Sequence, residues 1–194
     1  MSTLLEKLYL AVNAGLVLVI LLSFGYHADE AEVNALQFTS GIMTWLHVIS
    51  GIMWIGLLWY FNFVQIPTMP EIPADLKPGV SKYIAPRALF YFRWAALATV
   101  VTGLTLAWMK GYVHEALALE APAQTIGTGM WLALVMAFNV WFIIWPNQKK
   151  ALGMVVVSDA EKAAAARAAM LASRLNTLLS FPMLYCMVSQ GVLG

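Results

Sequence analysis

Cysteine is nearly absent from this chain of 194 residues. Cys186 stands alone, which excludes an internal disulfide and any zinc or iron–sulfur site built on cysteines. No C-x-x-C-H run occurs, so no c-type haem is attached covalently. Charge is scarce too. Asp, Glu, Lys and Arg make up 11% of the residues, against roughly 25% in a soluble domain. The net charge is +1, and nothing points to nucleic acid. Histidine occurs three times, as His27, His47 and His114. What the chain has in quantity is apolar surface: 61% of its residues are hydrophobic and its mean hydropathy is +0.76. These values imply an integral membrane protein with few residues outside the bilayer.

About 20 apolar residues cross a bilayer as a helix. Five segments meet that length, at about 7–25, 41–66, 88–109, 126–145 and 173–192. The expected fold is an all-α membrane protein, one five-helix transmembrane domain covering 1–194. The first segment has Lys7 before its apolar run and Ala28 near its end, as a signal peptide would. Tyr26 fits the small-x-small cleavage rule poorly, so a retained helix is expected.

Lys and Arg mark the cytoplasmic side. The 26–40 connection has Asp29, Glu30 and Glu32 and no basic residue. The 67–87 connection carries Lys77, Lys82 and Arg87. The 110–125 connection has only Lys110, whereas 146–172 has Lys149, Lys150, Lys162 and Arg167, followed by Arg174. This alternation predicts that the N-terminus and the two basic connections are cytoplasmic and the C-terminus outside, with the spans among membrane lipid.

Five of the eight prolines fall in 67–87: Pro67, Pro70, Pro73, Pro78 and Pro86. That density predicts an extended, stiff segment, either a cytoplasmic cover or a plain connector. Ser158-Asp159-Ala160-Glu161 reads as a capping box, and the alanines after it favour helix. One helix over about 159–192 is expected, projecting into the cytoplasm and bent at Pro182. A faint repeat at an offset of 77 aligns Met53-Trp54 with Met130-Trp131, Leu57 with Leu134, Phe61 with Phe138 and Asn62 with Asn139. Chance accounts for it about as well as duplication.

His47 is the one histidine inside an apolar segment, and an ionisable group at membrane depth marks a functional site by default. Met43, Ser50, Gly51 and Trp54 share its helical face. Gly51 would leave room for a flat macrocycle, with Trp54 beside it, as in a b-type haem pocket. The alternative is an interhelical hydrogen bond. With no second histidine in an apolar segment, a haem there would have an open sixth position or a methionine. Nearer the cytoplasm, Asn62, Gln65, Arg93, Asn139, Arg174 and Asn176 form a second polar group. Arg93 is the costly member, at roughly 2.5–3.5 kcal/mol if central and unpaired. It should face the bundle interior and meet an anion or an amide such as Asn139; the alternative is snorkelling to the headgroups.

Trp45-Leu46-His47-Val48, Gly51 and Trp54-Ile55-Gly56, followed by Lys82-Tyr83, Ala85-Pro86, Phe92-Arg93-Trp94 and Thr99 to Gly103, resemble the membrane domain of bacterial membrane-bound, cytochrome c-linked urate hydroxylase (urate oxidase). The resemblance runs over about Thr44 to Leu106. Arg174-Leu175-Asn176 with Pro182 is similar to the closing helix of membrane-bound haem-dependent protoporphyrinogen oxidases. The resemblance implies haem b on His47, with Gly51 and Trp54 beside it, and Arg93, Asn139 and Arg174 around a small anionic substrate. It implies oxidation of urate or a similar anion. The chain is shorter than that membrane domain and lacks its cytochrome domain, so a separate c-type cytochrome or a respiratory complex is the expected partner, and a homo-oligomer stays open. The alternative function is a non-catalytic accessory subunit packed against a respiratory complex. A transporter lacks the broken Gly/Pro helix pairs expected of one.

Overall fold

A computed structural model describes residues 5–27 and 35–193. Residues 28–34, with Ala28, Asp29, Glu30 and Glu32 of the acidic 26–40 connection, lie outside the described residues. Among those described, every regular element is helical. The helices are α1 (Leu8–His27), α2 (Ala35–Thr68), α3 (Lys77–Met109), α4 (Val113–Ala118), α5 (Gln124–Ala151) and α6 (Asp159–Leu193). Residues up to Gly41 form one compact unit, and those from Ile42 on form a second. In the first, Phe24 of α1 meets Phe38, with ring centroids 5.9 Å apart.

Four helices are long and apolar enough to cross a membrane: Leu8–Tyr26, Ala35–Thr68, Lys77–Met109 and Gln124–Ala151. The fifth expected span is not among them. α6 is 35 residues long, but Ser173, Asn176, Ser180, Ser189 and Gln190 dilute its apolar half.

The proline-rich stretch departs from the sequence reading. Instead of an extended segment to residue 87, only a short turn region separates α2 from α3, and α3 begins at Lys77. Pro78 sits in its first turn, where the missing N–H has no helical partner to lose. Pro86 lies deeper and is accommodated differently. The preceding Val80–Ile84 stretch is π-helical, and the Ala85 amide donates five residues back, to the Val80 carbonyl. The same device recurs in α2, where Tyr60–Gln65 is π-helical and Ile66, before Pro67, donates to Phe61. It recurs again in α5, where Asn139–Ile144 is π-helical and Trp145, before Pro146, donates to Val140. A proline removes one i→i−4 bond and crowds the carbonyl four residues back. Widening the preceding turn by one residue is a local way to accommodate that. The helix therefore continues through each proline. These π segments in α2 and α5 are offset by 79 positions rather than the 77 of the faint repeat, so the repeat does not carry over into matching turns.

The larger unit is cored by Trp54, Leu58 and Phe61 of α2, Phe92 and Ala96 of α3, Met136 and Val140 of α5, and Met183 of α6. Phe61 and Phe92 meet edge to face at 5.7 Å. α6 packs along α5 through small residues. A Cβ on Gly129 would lie 2.9 Å from Cys186 Cβ, and one on Gly127 would lie 2.0 Å from the Ala116 carbonyl oxygen of α4. Close backbone approach of this kind is the usual basis of helix association in lipid. Gln190 of α6 accepts from the Ile126 amide at 3.1 Å, giving a free N–H of the first turn of α5 a partner. The capping box is present as read: Ser158 Oγ accepts from the Glu161 amide at 3.3 Å, and Glu161 Oε2 accepts from the Ser158 amide at 3.0 Å. Its helix runs unbroken to Leu193 through Pro182.

Candidate functional site

His47 projects from α2 onto α3. Its Nδ1 lies 3.0 Å from the Thr99 carbonyl oxygen and 3.2 Å from Thr102 Oγ1. Thr102 donates its own hydroxyl proton back to the Ala98 carbonyl at 2.7 Å, so its oxygen is an acceptor for the imidazole. A carbonyl can only accept. Nδ1 therefore carries the proton, and in the neutral ring Nε2 keeps its lone pair. This is the arrangement that fixes tautomer and ring orientation in ligating histidines.

The ring lies against Gly103, one turn beyond Thr99. A Cβ there would stand 2.7 Å from His47 Cε1 and 3.1 Å from Nδ1, so only glycine leaves the imidazole its place. Gly103 thus makes room for the imidazole itself, which is a different role from the macrocycle space expected at Gly51. Gly51 faces the Thr99 methyl, at 4.0 Å from where its Cβ would be. Trp54 is fully buried, in the core cluster that also holds Leu58, Phe92 and Ala96.

His47 and Gly103 line a small apolar cavity of about 30 Å³ with Met130, Ala133 and Leu134 of α5 and Met187 of α6. Gly51 and Trp54 are not part of that lining. That is room for about one or two waters, far below an ordinary ligand site, so a large flat group would have to part the surrounding helices to enter. The donors on it are those a haem iron takes, one imidazole with a free lone pair and the thioethers of Met130 and Met187. No group of three His, Cys, Asp or Glu that could hold a bare metal ion occurs among the described residues.

The inner polar residues do not assemble into one site. Asn139 donates to Asn176 Oδ1 at 2.8 Å, and Asn176 donates to the Met136 carbonyl at 2.9 Å. Both are buried. Asn139 is therefore committed to clasping α5 to α6 and is not the partner of Arg93. Arg174 is exposed, one helical face away from Asn176 and Ser173. Asn62 donates to the Leu58 carbonyl at 2.9 Å and to Ser173 Oγ at 2.8 Å. Arg93 stacks on Trp145, its Cζ 3.6 Å from the ring centroid, with Trp141 at 5.6 Å.

Thr99, Thr102 and Gly103 were inside the resemblance block but carried no assigned role. The signal that could have found them is their i, i+3, i+4 spacing, one face of α3. Trp141 and Trp145 share a face at i, i+4, but the π turn between them hides where that face points.

The family model for "Urate oxidase N-terminal" matches residues 117–192. This is less than half of the chain, and it lies outside Thr44 to Leu106, where the resemblance was read. It covers most of α5 and α6, with the Gly127 and Gly129 contacts, the Asn139–Asn176 clasp and Arg174-Leu175-Asn176 with Pro182. No curated protein matches, and no solved structure matches.

Proposed function

We propose that this chain is a multi-pass membrane protein of the bacterial inner membrane that carries haem b on His47 and serves redox chemistry. The observation that carries the reading is the hydrogen bond from His47 Nδ1 to the Thr99 carbonyl, which leaves Nε2 the nitrogen able to ligate iron. Met130 and Met187, on the same pocket, are the candidates for a second ligand. A bound haem supplies one-electron chemistry. The chain's own part is to hold the imidazole neutral and oriented, to seat it against Gly103, and to keep water away with apolar side chains. The similarity of residues 117–192 to the urate oxidase N-terminal family supports urate or a similar small anion as substrate. A separate c-type cytochrome is the acceptor this reading calls for.

The test is a visible spectrum of the purified protein and of His47→Ala. The expected outcome is a Soret band in the wild type that is lost in the variant, while membrane insertion is unchanged because the apolar helix is intact. A wild type without haem, or a variant whose spectrum is unaltered, overturns the assignment. A second reading rests on the same contact: the His47–Thr99 bond ties α2 to α3, as an accessory subunit without cofactor would need. A haem-free wild type that co-purifies with a respiratory complex would favour it.

A further inference from the structure

Two hydrogen-bond donors are buried near one another where α3 meets the C-terminal part of α5. Arg93 Nη1 and Trp141 Nε1 are both buried and have no hydrogen-bond partner. The guanidinium carbon is 5.6 Å from the Trp141 ring centroid and 3.6 Å from that of Trp145. Lys149 Nζ lies 5.7 Å from the same Trp145 ring. Two full positive charges thus share one indole. No Asp or Glu occurs in α2, α3 or α5.

Stacking on Trp145 offsets part of the cost of the guanidinium's charge, but an indole face gives Nη1 no in-plane acceptor. Arg and Trp side chains are donors only; a water would accept from them but would bring no charge to offset the guanidinium. A planar group with two oxygens and a negative charge does both, and the Arg fork is shaped for it. We infer that Arg93 and Trp141 bind an oxyanion, a carboxylate or phosphate group, with Trp145 as the platform and Lys149 as the second charge. Its source is either a soluble anion or the headgroup of an anionic lipid. The site is separate from His47: Arg93 precedes Thr99 by six residues, about 9 Å along α3. It does not depend on the haem reading.

The experiment follows tryptophan fluorescence of the full-length protein. In neutral detergent it is titrated with sodium benzoate and with inorganic phosphate; in nanodiscs, phosphatidylglycerol is compared with phosphatidylcholine. A saturable change is expected in the wild type and equally in His47→Ala, so that loss of haem and loss of this site are told apart. Arg93→Gln should shift the half-point upward about tenfold, the size expected for one charge-assisted hydrogen bond. Trp141→Phe, which keeps the ring and drops the donor, should shift it less. Arg93→Lys retains the charge for folding and loses the fork, and should weaken benzoate more than phosphate. A response to benzoate and phosphate alone assigns a soluble anion; a response to phosphatidylglycerol alone assigns a headgroup. No saturable change with any probe, or an Arg93→Gln curve superimposable on the wild type, overturns the inference.

Discussion

At the scale of single residues, His47 and Gly103 define one another. The imidazole occupies the space a side chain at 103 would take, and its Nδ1 proton goes to a carbonyl one turn earlier on the same helix. Gly103→Ala should therefore act at a distance of one helix. Its methyl carbon, 2.7 Å from His47 Cε1, forces the ring or the helix to move. Overpacking of this kind costs about 1–3 kcal/mol, and the ring's hydrogen bond should go with it. The expected outcome is a lower unfolding temperature in detergent together with loss or shift of the Soret band. Gly51→Ala, whose added carbon meets only the Thr99 methyl at van der Waals distance, should leave both nearly unchanged. His47 was legible in the sequence because an isolated histidine in an apolar run stands out. Its partners were not, since a threonine, a glycine and a backbone carbonyl look the same in any membrane helix. Arg93 was legible as a residue needing compensation. That the compensation would be an indole, and that Asn139 would be taken by Asn176, depends on which faces meet across helices, and periodicity in one helix does not give that.

At the scale of helices, propensity and capping signals read through well where they are local. Ser158 and Glu161 close the capping box within four residues, and the alanine run carries α6 onward without a break. The Ser158 hydroxyl, followed by its amide, holds the Glu161 carboxyl below its usual range. The folded state thus favours the charged form. Its contribution is present above the unfolded value of about 4.3 and is lost as pH falls through the lower folded value. A carbon-13 titration of the Glu161 carboxyl should give a midpoint below about 4.3, and Ser158→Ala should bring it back up. The prolines misled for a related reason. A proline inside a pattern reads as a stop when only α-helical turns are considered. Here the residue before each of Pro67, Pro86 and Pro146 bonds five back, and the helix continues.

At the scale of the whole molecule, the number of crossings decides where the C-terminus lies. Four helices have the length and apolarity to span; α6 has the length and a polar stripe in which Asn176 pairs with Asn139 and Ser180 with Trp59, while Ser189 Oγ is buried without a partner. Such internal pairing is what lets a polar helix enter a bilayer, so five crossings are expected. A reporter that is active only in the cytoplasm, fused after Gly194, should then be silent, and activity would mean that α6 does not cross. The π segments carry a further consequence, and it concerns what the gene can tolerate. Each holds one residue more than an α-helical turn would, so a single-codon deletion there restores ordinary geometry and keeps the chain in a helix. Everything beyond then keeps its facing, because the wide turn had already absorbed the extra residue. Phe142 lies in the Asn139–Ile144 segment with 67% of its surface exposed, so deleting it sacrifices little core. The shortened protein should still insert, and Trp145 should still face Arg93. In the benzoate titration it should behave like the wild type rather than like Arg93→Gln. The same deletion in the regular α-helical part, between Trp131 and Phe138, would instead turn everything after it by about 100°.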